Sequence, residues 1–168
     1  LAMDPFNPQT LYAALNETHT DSAGGLYRTT NGGTNWAPVN IPAGIRSVND
    51  VRLHKITGDL YIACGNNDAD GSTGGAWVSR DAGATWSLLF DMPYVKEVDV
   101  CAANTNVIVV NVGQDRDINQ LNPGCYVSID GAVTWHKINR RHGQPGGVRQ
   151  LRADPYDDNI LWCSLVGT

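Results

Sequence analysis

The 168-residue sequence has no apolar run approaching the ~18 residues a membrane-crossing helix needs, so no membrane span is expected in it. No charged-then-apolar leader opens it at Leu1. No segment carries the 3.6-residue apolar stripe of a helix, which leaves short strands to build the core. Basic residues are few and scattered, 12 Lys and Arg against 17 Asp and Glu, and the net charge of −5 disfavours nucleic acid or an anionic membrane as partner. The four cysteines, Cys64, Cys101, Cys125 and Cys163, contain no Cys-x-x-Cys pair and no metal-type spacing. Each lies in an apolar run, where a small buried thiol is the first reading and a disulfide the second. Cys101 and Cys125 fall on expected strands separated by a third, and two spacings of roughly 4.8 Å exceed what a disulfide spans. Cysteine count therefore leaves the redox compartment open.

What the sequence does have is a repeat. Ser79-Arg80-Asp81-Ala82-Gly83-Ala84-Thr85-Trp86 returns, loosened, as Thr29-Thr30-Asn31-Gly32-Gly33-Thr34-Asn35-Trp36 and as Ser128-Ile129-Asp130-Gly131-Ala132-Val133-Thr134-Trp135. The tryptophans stand 50 and 49 residues apart, a period that marks an array of like units. Each copy follows a short apolar run opened by glycine: Gly25-Leu26-Tyr27, Gly75-Ala76-Trp77 and Gly124-Cys125-Tyr126. The pattern reads as a hairpin turn. Asp81, or Asn31, accepts hydrogen bonds from turn amides, Gly83 or Gly33 takes positive φ, and the Trp returns into the packed layer. In the third copy glycine comes one place early, at Gly131, and Ala132 stands where glycine is expected, so that turn is expected to be shifted or strained.

This form, hydroxyl-x-acid-x-Gly-x-Thr-Trp, resembles the Asp-box of sialidase-like β-propellers. With the recurring lead Asp4-Pro5 to Leu11-Tyr12 and Asp154-Pro155 to Leu161-Trp162, the whole chain is similar to the tandem-propeller group. That group includes xyloglucanase-type glycoside hydrolases, sortilin-type receptors and photosystem II assembly factors. The resemblance implies an all-β fold, a β-propeller segment of four-stranded antiparallel blades, about three blades plus the start of a fourth. Closed propellers usually need about four to eight blades, so the chain is read as one segment of a larger propeller. Blade 1 (partial) takes residues 1–46, blade 2 47–94, blade 3 95–146 and the start of blade 4 147–168.

The second repeat sets the template, with strands at Val48 to Leu53, Leu60 to Cys64, Gly75 to Ser79 and Thr85 to Phe90. The third repeat follows at Val95 to Cys101, Val107 to Val112, Gly124 to Ser128 and Thr134 to Ile138. In such a meander the second-to-third loop and the inter-blade link share one end, and the box turn lies at the other. The long polar segments fall at the first end: Glu17 to Gly24, Gly65 to Gly74 and Gly113 to Pro123, with links Asn40 to Arg46, Asp91 to Tyr94 and Asn139 to Gly146. Binding is expected there.

Candidate ligand contacts on that end are Arg116 and Asp117, the run Arg140-Arg141-His142, and Tyr94 as a stacking platform, because Arg suits bidentate recognition of carboxylates and polar ligands. The competing reading is a salt-bridged, solvated loop. Asn66, Asp68 and Asp70, followed by Gly71, fit the first half of a calcium loop, but Trp77 stands where the closing Glu belongs, so a solvated turn is the first reading and calcium the second. No cofactor is required. His19, His54 and His136 lack neighbours at metal-ligand spacing and are read as structural or exposed.

A glycosidase needs two acids about 5 to 9.5 Å apart across a cleft. Asp21, Asp50, Asp70, Asp91 and Asp117 are expected near the loop-rich end, but spacing pairs no two of them. Asn31, Asp81 and Asp130 are read, with Thr29, Gly33, Trp36, Ser79, Gly83, Trp86, Ser128 and Trp135, as structural fasteners. The function expected from these signals is a glycan- or protein-recognition or assembly scaffold on a secreted or cell-surface propeller. Its partners would be a glycan or protein ligand, and remaining blades of the same polypeptide or other copies. The alternative is part of a secreted polysaccharide-degrading hydrolase of the xyloglucanase type, with a non-catalytic segment favoured.

Overall fold

The structure, a computed structural model, describes residues 1–16, 24–65, 73–113, 123–138 and 148–165. Among the described residues fourteen strands fall into four consecutive sheets. Blade 1 holds β1 (Ala2–Met3), β2 (Leu11–Leu15), β3 (Gly25–Thr29) and β4 (Ala37–Val39). Blade 2 holds β5 (Val48–Leu53), β6 (Leu60–Cys64), β7 (Gly75–Ser79) and β8 (Ser87–Phe90). Blade 3 holds β9 (Val95–Val100), β10 (Ile108–Val112), β11 (Gly124–Ser128) and β12 (His136–Ile138), and β13 (Val148–Ala153) pairs with β14 (Leu161–Leu165) in the fourth unit. Within each sheet every neighbour in sequence is an antiparallel neighbour in space, so each sheet is a meander. The fourth strands of blades 2 and 3 begin at Ser87 and His136, two residues later than the pattern suggests. The box tryptophan is still part of the turn.

The strands stack because their alternation serves two neighbours at once. In β6 all five residues are buried, Leu60, Ile62 and Cys64 packing back onto blade 1 while Tyr61 and Ala63 pack forward onto blade 3. The three hydrophobic clusters accordingly sit at the three seams. Tyr12 and Leu26 meet Val48, Val51 and Leu60 at the first, Tyr61 and Val78 meet Val95, Val98 and Val110 at the second, and Val109 and Cys125 meet Leu151 and Ala153 at the third. Burying a Leu or Ile of this kind stabilises by roughly 1.5–3 kcal/mol, so the seams carry most of the cohesion. At the second seam the Phe90 ring also lies 4.7 Å from Trp135 and 5.1 Å from Tyr126, centroid to centroid. Cys64, Cys101 and Cys125 are buried and Cys163 is exposed, and all four are free thiols.

The turns between first and second strands follow one chemical rule with different residues. Asp4 Oδ1 accepts from the amides of Phe6 and Asn7, and Asp154 Oδ1 from those of Tyr156 and Asp157. In blade 2 the acceptor is an imidazole: His54 Nδ1 receives the Thr57 amide at 3.0 Å, which leaves its proton on Nε2, 3.3 Å from the Cys101 carbonyl of blade 3. His54 is 2 % exposed and joins two blades.

Candidate functional site

The box turns form one end of the stack. Thr29, Ser79 and Ser128 each donate their hydroxyl to the Asn31, Asp81 or Asp130 side chain, at 2.8, 2.7 and 2.8 Å. The same hydroxyls accept the amides of Gly33, Gly83 and Ala132 four residues on. The Asx oxygen then takes the amide of Asn35, Thr85 or Thr134 and closes the turn. With both carboxylate oxygens engaged, Asp81 and Asp130 are held down to about 2, chiefly by the hydroxyls of Thr85 and Thr134. Two consecutive residues in each turn have positive φ: Gly32 and Gly33, Ala82 and Gly83, Gly131 and Ala132. The third turn is therefore not shifted. Ala132 occupies the glycine position at φ 73° with the register unchanged, and the departure in sequence is taken up as backbone strain.

Box tryptophans reach backwards. Trp86 Nε1 donates to the Asn40 carbonyl of blade 1 at 2.8 Å, and Trp135 Nε1 to the Leu89 carbonyl of blade 2 at 3.2 Å.

At the opposite end the described residues are the necks of the long loops. Gly65 and Gly74 close the neck of one loop against the backbone of Pro93, so near that no Cβ fits at either position. The Thr73 amide bonds the Gly44 carbonyl at 2.9 Å, tying the same loop to the preceding inter-blade link. Tyr94 lies with its ring against Gly113, whose amide donates to the Tyr94 carbonyl at 3.0 Å, and burial pushes its phenol up. The ring braces the neck of the next loop. Arg116, Asp117, Arg140, Arg141, His142, Asn66, Asp68 and Asp70 lie outside the described residues, as do Asp21 and His19. Asp91 is exposed in the link between β8 and β9.

A third group of polar residues was not anticipated as a set. On the forward faces of the inner strands stand Asp50 and Arg52 of β5, Glu97 and Asp99 of β9, and Arg152 of β13. Arg52 Nε holds Asp50 Oδ2 at 3.1 Å, and Arg152 Nη1 lies 3.7 Å from Glu97 Oε1. Glu97 Oε2 accepts the Leu151 amide at 3.0 Å and Asp99 Oδ2 the Ala153 amide at 3.1 Å, so two carboxylates of blade 3 cap the edge of the next inner strand. Asn49 does similar work one seam earlier, donating to the carbonyls of Gly65 and Val95. Burial raises Asp50 against the opposing pull of Arg52 and Arg152, with the charge of Glu97 adding to the rise, and burial likewise raises Asp99 against Arg52. Of the two described acids anticipated near the loop-rich end, Asp50 belongs to this group and Asp91 does not. The signal that would have found the rest is the alignment of Asp50 with Glu97 and of Arg52 with Asp99 and Arg152 at the repeat period. Among the described residues no three His, Cys, Asp or Glu side chains gather as a metal site.

Comparison with known proteins agrees with this architecture. No family model matches the chain. Over 88 % of its length it is 26 % identical to the xyloglucanase Xgh74A of Acetivibrio thermocellus, of which it covers 20 %. The GH74 xyloglucanase structure from Xanthomonas campestris superposes on 98 % of the chain with a TM-score of 0.65 at 20 % identity, and the chain covers 26 % of it. YCF48 bound to D1 peptide superposes on 86 % with a TM-score of 0.52 at 15 % identity, and the chain covers 42 % of it. The chain therefore has the fold of β-propeller blades and spans about a fifth of the length of the curated relative it matches.

Proposed function

We propose that these residues are a segment of a secreted or cell-surface β-propeller that recognises a glycan, with xyloglucan the first candidate. The similarity to a xyloglucanase over 88 % of the chain carries the reading. The chemistry of the described polar groups supports a scaffold role here. Box acids are consumed by their turns and Glu97 and Asp99 by the neighbouring strand edge, leaving the loops after Gly65 and Gly113 and the links to make contacts. In this reading Arg116, Asp117 and the run Arg140-Arg141-His142 hydrogen-bond sugar hydroxyls, with Tyr94 placing the loop beside it. No cofactor is required; calcium at Asn66, Asp68 and Asp70 would order one loop, and EGTA would then weaken binding. The remaining blades of the same polypeptide, or other copies, complete the ring.

The test is calorimetric titration of the natural polypeptide with xyloglucan, cellulose oligosaccharides and arabinoxylan. Selective xyloglucan binding, weakened by Arg140→Ala with Arg141→Ala, is expected. Indifference to all three glycans would overturn the reading and leave a peptide ligand.

The second reading is a hydrolase, favoured by the same similarity and by two partly buried, upward-shifted carboxyls, Asp50 and Asp99. Release of reducing ends from xyloglucan, abolished by Asp50→Asn in a variant that still folds, would establish it and remove the scaffold role.

A further inference from the structure

The turns that join first to second strands lie at the same end as the box turns, bonded to them by the Gly32 amide on the Gln9 carbonyl and the Gly131 amide on the Asn106 carbonyl. Two places after their leading residues, Asp4, His54 and Asp154, three of these turns carry a large apolar side chain: Phe6, Ile56 and Tyr156. The turn itself calls for none. It is held by an acceptor atom of the leading residue and by backbone amides, and residues of a solvated turn are ordinarily polar or small. All three side chains are exposed, Ile56 to 64 % with a blade on either side of it. Phe6, 68 % exposed, reaches over the first seam: a Cβ on Gly58 would meet its ring at 3.2 Å, so it shares one patch with the turn that carries Ile56. The later turns are tied edge to edge, His54 Nε2 to the Cys101 carbonyl and Asn104 Nδ2 to Asp158 Oδ2 at 2.7 Å. Apolar groups held together on a fixed polar rim mark an interaction surface.

Charge around the patch selects its occupant. The turns at this end carry one aspartate in blade 1, two in blade 2, one in blade 3 and three in the fourth unit, against two bases, Lys55 and Arg80. Arg80 lies 3.9 Å from Asp59, so one of the two is already matched. Such a field repels nucleic acid and an anionic membrane, and a second copy would bring the same sign of charge to it. Ile56, an aliphatic side chain, gives a sugar no ring to stack on. We propose that this end of blades 1 and 2, with Phe6 and Ile56 as its apolar contacts, docks a lysine- or arginine-rich polypeptide segment of a protein partner that also carries apolar side chains. The surface faces away from the long loops, so its occupant and a glycan bound there would not compete.

Fluorescence anisotropy of a labelled peptide of alternating lysine and leucine, titrated with the natural polypeptide, tests this beside a glutamate–leucine peptide and oligolysine. Binding of the lysine–leucine peptide alone, weakened by added salt, is the expected result. Phe6→Ser with Ile56→Ser is expected to weaken it about tenfold or more, as the loss of two large apolar contacts should. Lys55→Glu, on an exposed residue beside Ile56, should tighten binding about threefold, the size of an exposed charge contact, and it decides the matter where the serine pair disturbs folding. No binding, equal binding of either control peptide, or an affinity unmoved by Lys55→Glu would overturn the proposal. Self-association abolished by the serine pair would overturn it too and identify a second copy as occupant. Displacement of the peptide by xyloglucan would move its site to the loop-rich end, whereas indifference to every glycan would leave this surface standing.

Discussion

Asp81 and Asp130 in the box turns and Asp50 and Asp99 on the inner strands are the same chemical group in opposite situations. The turn acids are exposed yet held down to about 2, because hydroxyl and amide donors converge on them. The inner-strand acids have arginines nearby yet are raised, because burial removes more water than those arginines replace. Regular spacing in the sequence made the turn acids the more conspicuous. Their environment makes them fasteners, and the irregular acids are the ones whose charge is poised.

Removing Glu97 should have the largest effect on this comparison. Glu97→Ala leaves the Leu151 amide without its acceptor and Arg152 without its nearby carboxylate, and a loss of about 2 kcal/mol by urea unfolding is expected, since an unmatched buried donor costs about 1–3 kcal/mol. A loss within error would mean that the inner-strand acids do not hold the seam. Ala132→Gly should act in the other direction by about 1 kcal/mol, because it relieves a side chain held at positive φ. The same measurement on the blade 1 turn has no strain to relieve, as Gly32 and Gly33 already stand there.

The smallest effect, and the sharpest, is the pH dependence. A raised folded pKa means the native state binds the proton more readily. Asp50 and Asp99 therefore oppose folding at neutral pH, and that penalty fades as pH falls through their raised values towards 3.8. The turn acids stabilise above 3.8, and their contribution is lost only as pH falls through about 2. Asp99→Asn, which keeps an acceptor for Ala153, should leave a protein more stable than the parent at pH 7 and indistinguishable from it near pH 4. Asp81→Asn should lose stability at pH 7 and converge with the parent only near pH 2. Parallel pH profiles for the two variants would erase the distinction between the acids.

The blades were legible in the sequence because their signals are local. Alternation along Leu60 to Cys64 and the turn chemistry from Ser79 to Trp86 each involve residues within a few positions of one another, and the 50- and 49-residue steps between the tryptophans only repeat those local signals. The third box was half legible: Ala132 in place of glycine announced a disturbance, and only the backbone showed strain without a shift. The inner-strand group was not legible as a set because its bonds between blades join residues 46 to 54 apart, Asn49 to Val95, Glu97 to Leu151, Asp99 to Ala153. In the sequence His54 shows no more than a structural or exposed histidine; its role depends on Thr57 nearby and on a carbonyl one blade away. Tyr94 announced an aromatic on the loop-rich end, and the backbone of Gly113 that it rests against becomes its neighbour only once the strands pair.

The direction of the tryptophan bonds also bears on how such a chain is made. A protein leaves the ribosome from its N-terminus, and its units fold in that order. Because Trp86 and Trp135 seek carbonyls already synthesised, each new blade finds its acceptor waiting when its own box turn closes. The bonds from Asn49, Glu97 and Asp99 run the other way and form only when the following strand arrives. Growth would thus proceed by docking first and tightening afterwards, one seam at a time, with little apolar surface left uncovered between steps.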